Sequence, residues 1–72
     1  MNELTRRQQE VYDLLVLGCT RYDIALKLCI TLSTVKNHAS IIYRKTNTYN
    51  QLDLIMKHYE LPTWKKPFVE GE

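Results

Sequence analysis

Five polar side chains recur at spacings of three or four residues between positions 33 and 44, and their chemistry suits DNA bases. They are Ser33, Lys36, Asn37, Ser40 and Arg44, which would share one face of an α-helix, and we call them the polar stripe. An asparagine amide can pair with N6 and N7 of adenine together, a lysine reaches O6 or N7 of guanine, and a serine pairs with several base edges. The spacing therefore predicts a helix whose outer face can read base pairs in a major groove.

Groups suited to the phosphate backbone surround the polar stripe. Arg44 and Lys45 lie farther along the same predicted helix, where cationic side chains are better placed for phosphates than for bases. The first turn of a helix leaves its amide NH groups unpaired, and such ends attract phosphate oxygens. Two predicted helix starts therefore join the DNA-binding set, with Thr20 and Arg21 at one and Thr31 and Ser33 at the other.

The distribution of charge indicates an anionic partner more clearly than the net charge does. The whole chain carries a formal charge of only +2. Residues 24–52 nevertheless contain no Asp or Glu, whereas Lys27, Lys36, Arg44 and Lys45 together give this segment +4. Most polar helix faces are merely solvated, but a cationic segment in an otherwise balanced chain favours nucleic acid. Double-stranded DNA is therefore the partner that we expect.

Capping signals divide the first half of the chain into two helices. Thr5 with Gln8, and Thr20 with Asp23, match the capping box, in which side chain and backbone bond reciprocally across the first helical turn. Gly18 offers a stop for the first helix. The predicted helices cover residues 6–17 and 21–28.

The second half of the chain is predicted to hold two more helices. Thr31 and Asn50 are suitable N-cap residues, and Leu61 before Pro62 ends the last helix, because a residue before proline avoids the helical region. The predicted helices cover residues 32–46 and 51–60, and no segment alternates as a strand would. We therefore predict an all-α, four-helix domain over residues 1–61, followed by an extended or flexible, irregular tail over residues 62–72.

Apolar residues at helical spacing predict which side of each helix is buried. The set expected inside consists of Val11, Leu14, Leu15, Ile24, Ala25, Leu28, Val35, His38, Ile42 and Thr46. On the last helix, we expect Leu52, Ile55 and Tyr59 to turn inward. A second stripe on that helix would then face outward as a seam for another copy of the chain, formed by Leu54, His58 and Leu61.

The composition argues against catalysis, metal binding and a membrane location. With 72 residues, the chain can build one small core but not a large active-site cavity beside it. Cys19 and Cys29 lie at no metal-ligand spacing from His38 or His58, so we expect no metal and no other cofactor. No nucleophile–base set or glycine-rich loop is recognisable, and an enzyme is not expected. The polar start and the absence of a long apolar run predict a cytoplasmic protein.

From about Leu4 to Tyr59, the sequence resembles the LuxR/GerE-type helix-turn-helix family. The opening L-T-R-R-Q-Q-E-V, D-I-A at 23–25, T-V-K-N-H at 34–38 and I-Y-R-K at 42–45 follow the family pattern in register. The resemblance implies a four-helix DNA-binding domain that docks its third helix in the major groove and usually dimerises through its fourth. It also implies base or groove contacts for Lys36, Asn37 and Ser40, backbone contacts for Thr34 and Arg44, and a packing role for His38.

Several positions depart from the family pattern. Gln8 stands where the family commonly has Glu, and Gln51 occupies a common Arg position. Residues 46–48, which are Thr-Asn-Thr, replace a usual Leu-Gly-Val, and Leu54 replaces a usual Ala. Ile41 puts an apolar group near the face that would meet DNA. These differences bear on the dimer geometry and on the junction between the third and fourth helices more than on the fold.

The sequence favours a sequence-specific transcription regulator that acts as a homodimer on DNA. Many members of the family carry a receiver or ligand-sensing domain, and because none is recognisable here, we expect a stand-alone regulator controlled by its abundance or by a partner. An alternative is a small modulator that binds a larger transcription regulator or RNA polymerase, for which Ile41, Leu54, Trp64 and Phe68 would be apolar contacts. A sigma-type factor has a similar helix-turn-helix pattern but fits residues 42–45 and His38 less well.

Overall fold

A computed structural model describes residues 3–60, and this part of the chain consists of four α-helices without a strand. The helices are α1 (Arg6–Val16), α2 (Arg21–Leu28), α3 (Leu32–Thr46) and α4 (Gln51–His58). The all-α, four-helix prediction is therefore confirmed, although α1 ends one residue and α4 two residues before the predicted ends. The expectations for Leu61, Trp64, Phe68 and the tail over 62–72 lie outside the described residues.

The helix starts follow the predicted capping signals. The Thr5 hydroxyl accepts the backbone NH of Gln8 at 3.2 Å, while the Gln8 side-chain oxygen accepts the Thr5 NH at 3.0 Å. Thr20 and Asp23 form the same reciprocal pair at 3.1 and 3.4 Å. Each cap contributes about 1 kcal/mol, which matters most for the eight residues of α2 because so short a helix is unstable alone. α3 and α4 likewise begin at the predicted caps, Thr31 and Asn50.

A residue in the left-handed (αL) backbone conformation ends each of α2 and α3. Cys29 has a φ of 56° and Asn47 a φ of 59°. The next backbone NH then turns back onto the helix, from Ile30 to the Ala25 carbonyl at 3.0 Å and from Thr48 to the Tyr43 carbonyl at 2.9 Å. After the turn at Cys29, α3 begins at Leu32 and packs against α2. This is the turn that positions the polar stripe.

One core lies between the four helices, and α3 is held from two sides. The residues buried most completely are Val11, Leu15, Ile24, Val35, Ile42 and Leu54. α3 packs against both α1 and α2, whereas α4 packs mainly on α1. Five of the six were expected inside, and Leu14, Ala25 and Leu28 are half-buried against the same core. The inner face of α3 is therefore fixed by apolar packing, and its outer face is turned to solvent.

The predicted orientation of α4 is wrong. Leu54 is only 1% exposed and belongs to the core, whereas Leu52 is 44% and Tyr59 56% exposed. Apolar residues occupy most sides of this short helix, so their spacing does not single out one buried stripe. Leu54 therefore cannot form a seam with another chain, and only Ile55 among the three residues expected inside packs on the core.

Two polar side chains, Gln51 and Lys57, hold the junctions of α4, and Gln51 is one of the departures from the family pattern. The Gln51 side-chain amide donates to the carbonyl oxygens of Leu15 at 3.0 Å and Cys19 at 2.8 Å, and so ties the start of α4 to the end of α1. Lys57 donates to the Thr46 carbonyl at 2.6 Å, at the end of α3. These bonds attach the two ends of α4 to α1, to the segment after it and to the end of α3.

Candidate nucleic-acid interface

The polar stripe lies on the outer side of α3 and is exposed along its whole length. Its five members are all exposed, while Val35, Ala39 and Ile42 on the opposite side are buried. In the part of the chain that the structure describes, no side chain of the stripe takes part in a hydrogen bond or ion pair. The 15 residues of α3 span about 22 Å, and a helix with its side chains is as wide as a B-DNA major groove. The stripe can therefore enter a groove without first breaking internal contacts.

The start of α3 offers a second kind of contact. The Thr31 hydroxyl accepts the Thr34 NH at 3.1 Å and lies 2.8 Å from the Thr34 hydroxyl. Ser33 is exposed, and the first turn of α3 contains no acidic residue. The free amides of this turn and the positive end of the helix dipole therefore face solvent without a competing carboxylate. Thr34 is half-buried, so its hydroxyl mainly completes the cap.

Arg21 brings a cation from α2 to the side of α3. Burial raises the pKa of the Tyr43 phenol above its ordinary value, and the Arg21 charge acts in the opposite direction. This interaction indicates that Arg21, which is exposed, lies near Tyr43 in the last turn of α3. Thr20, the cap of α2, is also exposed, but Asp23 adds a negative charge to that first turn. The start of α2 is therefore a weaker phosphate site than the start of α3.

Lys45 does not lie with the polar stripe. Its ammonium group donates to the backbone carbonyl of Glu3 and to the side-chain oxygen of Gln8, both at 3.0 Å. Lys45 is half-buried, and these bonds attach the end of α3 to the segment that enters α1. Lys45 thus has a structural role that the prediction of a phosphate contact did not include. Sequence spacing could not reveal this role, because Gln8 lies 37 positions away.

The residues predicted for a dimer seam do not form one surface. Leu54 is buried, and Leu61 lies outside the described residues. His58 is exposed, but its Nδ1 lies 2.9 Å from the Tyr12 hydroxyl, and the two rings meet edge to face at 5.5 Å. His58 therefore packs against α1 of its own chain, and the large side chains exposed in this region are instead Leu52 on α4 and Tyr59 just after it.

His38 occupies the inner edge of α3, as a packing residue would. It is half-buried, and its Nδ1 is buried without a hydrogen-bond partner. Among residues 3–60, no group of three His, Cys, Asp or Glu side chains is arranged to hold a metal ion, and both cysteines are free thiols. None of the four helices is long and apolar enough to cross a membrane.

The arrangement of α2, the Cys29 turn and the exposed α3 defines a helix-turn-helix domain. Residues 2–58 match the family of bacterial regulatory proteins described as the luxR family. This match covers most of the chain, and the chain belongs to the LuxR family of DNA-binding transcription regulators. The resemblance found in the sequence is confirmed.

One curated relative supports the same assignment. The chain is 42% identical over 52 residues to a protein of Bacillus subtilis (strain 168) named "Uncharacterized transcriptional regulatory protein YvfU". The aligned region covers 72% of this chain but only 26% of that relative. The comparison therefore concerns this domain and not the remainder of the relative. No solved structure matches the chain significantly.

Proposed function

We propose that this protein is a sequence-specific regulator of transcription that acts in the cytoplasm and inserts α3 into the major groove of double-stranded DNA. The observation that supports this function best is the exposed polar stripe, which is free of internal hydrogen bonds within residues 3–60. The stripe stands on a helix whose opposite side is packed into the core, so its side chains are held in a fixed register. A fixed register is what direct reading of bases requires.

The members of the stripe take different roles in this proposal. Lys36, Asn37 and Ser40 lie on its middle turns and contact base edges. Arg44 and the amides at Ser33 bind phosphates on either side, and these contacts orient the helix in the groove. Around them, three further residues approach the DNA backbone from the helix starts: Thr20, Arg21 and Thr31. Thr34 contributes through the cap that it forms with Thr31.

A homodimer follows from the size of the domain and the exposed face of α4. A single module of this kind buries only about 600–1,000 Å² of protein surface on DNA, which limits its affinity. Leu52 and Ile55 on α4 and Tyr59, the residue that caps its end, lie at spacings of three and four, and Leu52 and Tyr59 are about half exposed. We infer that this stripe, rather than one containing Leu54, packs against the same stripe of a second copy. Each copy would then bind one half-site.

A second candidate function, modulation of a larger transcription regulator or of RNA polymerase, retains one supporting observation. Tyr22 and Leu26 lie one turn apart on α2 and are 67% and 78% exposed. The other apolar contacts expected from the sequence give less support to this candidate, because Leu54 is buried and Trp64 and Phe68 lie outside the described residues. Replacing Tyr22 and Leu26 by Ala would abolish regulation without weakening DNA binding if this candidate were correct.

Selection of binding sites from a random pool of duplex DNA tests the main proposal. At a fixed salt concentration, the wild-type protein should recover a palindromic consensus whose half-sites lie about 10 base pairs apart, one helical turn. The variant with both Lys36→Ala and Asn37→Ala should recover no consensus, although it retains the fold. Sequences without any consensus from the wild-type protein would contradict the proposal.

A further inference from the structure

Ile41 is an apolar residue on the outer side of α3. It follows Asn37 by four positions and precedes Arg44 by three, so the three side chains share one face of the helix. Ile41 is half-buried, but it belongs neither to the core nor to the partly buried residues that pack against the core. The core therefore does not account for an isoleucine at this position.

The major groove presents one apolar group that distinguishes base pairs, the C5-methyl group of thymine. Hydrogen-bonding side chains do not use this group, whereas aliphatic side chains contact it and exclude water from it. Isoleucine suits such a contact because its branched side chain has few rotamers and loses little freedom on binding. Partial burial of Ile41 restricts it further before any DNA is bound.

We propose that Ile41 is a specificity-determining residue that packs on the C5-methyl group of a thymine next to the bases read by the polar stripe. This inference rests on the proposed function of α3. One helical turn separates Asn37 from Ile41, about 6 Å along the axis, and successive base pairs are about 3.4 Å apart. The thymine therefore lies within about two base pairs of the base that Asn37 contacts.

Replacing thymine by deoxyuridine tests the contact, because this change removes the methyl group and nothing else. Each thymine of the selected consensus is replaced singly, and the dissociation constant of the wild-type protein is measured by fluorescence anisotropy at fixed salt. At one thymine per half-site, the affinity should fall about fourfold, the factor that corresponds to one buried methyl group. The Ile41→Ala variant should bind the thymine and deoxyuridine duplexes equally well at that position, and Ile41→Val should give an intermediate ratio.

Leu17→Ala is the control, since it removes an exposed aliphatic side chain at the end of α1 instead of on α3. It should keep the wild-type sensitivity to deoxyuridine. The inference is overturned, and the proposed function stands, if the wild-type affinity does not change on replacing any thymine of a clear consensus by deoxyuridine. The same holds if this replacement lowers the affinities of Ile41→Ala and Ile41→Val by the same factor as that of the wild-type protein. If no consensus is recovered at all, both are overturned. The wild-type measurements need no variant, so poor folding of Ile41→Ala would not remove the test.

Discussion

At the scale of single residues, Lys36 and Asn37 have the side chains whose removal should affect DNA recognition most. Both are exposed and make no internal hydrogen bond in the described part of the chain, so truncation leaves no buried group unsatisfied. We expect Lys36→Ala and Asn37→Ala each to weaken binding to the selected site by about 1–3 kcal/mol. The thermal unfolding midpoint should stay within a few degrees of wild type, and anisotropy titrations measure the affinity.

Arg6→Ala serves as the control for these two variants. Arg6 is an exposed cation on α1 and not on α3, so its removal reports the effect of net charge alone. Its effect should be small and equal for the selected site and for an unrelated duplex. If Lys36→Ala and Asn37→Ala were no more harmful than Arg6→Ala, the assignment of the stripe to base contacts would be wrong.

Gln8 and Gln9 are neighbours with different structural roles. The Gln8 side-chain oxygen accepts both the Thr5 NH and the Lys45 ammonium group, and Gln8 is buried. The Gln9 side chain is exposed and donates a hydrogen bond to Asp13, one turn away. Gln8→Ala should therefore lower the free energy of unfolding by about 1–2 kcal/mol. Gln9→Ala should lower it by only about 0.2–0.5 kcal/mol.

Urea denaturation of the two variants measures this difference. Equal stabilities for Gln8→Ala and Gln9→Ala would mean that Lys45 is not held at the entry to α1. In that case Lys45 would be available for DNA, as the sequence alone suggests.

At the scale of elements, the turn between α2 and α3 stores strain in Cys29. A residue with a side chain pays about 1–2 kcal/mol to adopt the left-handed conformation, and glycine avoids this penalty. Glycine also gains more freedom in the unfolded chain, so the net benefit is smaller. We expect Cys29→Gly to stabilise the domain by about 0.5–1 kcal/mol, because the exposed thiol contributes little packing.

Cys29→Ala separates backbone strain from removal of the thiol. It keeps a β-carbon in the left-handed conformation, so its stability in urea should stay within about 0.5 kcal/mol of wild type. A gain for Cys29→Ala as large as that for Cys29→Gly would show that the thiol, and not the φ angle, is unfavourable.

Leu52 and Leu54 form a matched pair on α4. Leu54→Ala should cost about 2–5 kcal/mol because it leaves a cavity in the core. Leu52→Ala should cost under about 1 kcal/mol, since Leu52 is largely at the surface. Leu52→Ala should instead shift the monomer–dimer equilibrium towards monomer, as sedimentation equilibrium would detect. If instead Leu52→Ala caused the large loss of stability and Leu54→Ala shifted the equilibrium towards monomer, the orientation of α4 predicted from the sequence would be correct.

The contrast between α3 and α4 shows how far the sequence determines the elements. On α3, apart from Ile41, polar and apolar residues lie on opposite sides, and Val35 and Ile42 are buried while the polar stripe is exposed, as predicted. On α4, Leu52, Leu54, Ile55 and Met56 are nearly consecutive, so only packing on α1 decides which of them is buried. Helix starts were predictable because caps are local, whereas the bonds of Gln51 to the end of α1 and of Lys45 to Gln8 span more than thirty positions.

At the scale of the whole molecule, a net charge of +2 is compatible with DNA binding, because residues 24–52 carry four cationic side chains and no acidic one. Each phosphate contact adds about 0.9 to the slope of log affinity against log salt concentration. Arg44→Ala should therefore reduce the magnitude of this slope by about 1 and weaken binding to all duplexes uniformly. Titrations at several salt concentrations measure the slope, and a change confined to the selected sequence would contradict a phosphate role for Arg44.

The candidate site was predictable to the extent that it depends on one helix. The stripe from Ser33 to Arg44 follows from spacing alone, and the structure exposes all of it. The approach of Arg21 to Tyr43 and the hydrogen bonds that attach Lys45 to the segment entering α1 depend on how α1, α2 and α3 pack together. Such contacts between distant segments cannot be predicted from the spacing of residues along the chain.

If the outer face of α3 is the surface that binds DNA, the backbone amide chemical shifts of this face should change when a duplex is added. The ¹⁵N–¹H spectrum of the full chain is recorded with and without a selected duplex at fixed salt. We expect the largest shifts at residues 33–44 and at Thr20 and Arg21, with little change around Gln9 and Asp13. Large shifts confined to α4 or to the Tyr22–Leu26 face, with α3 unaffected, would contradict DNA binding by the outer face of α3.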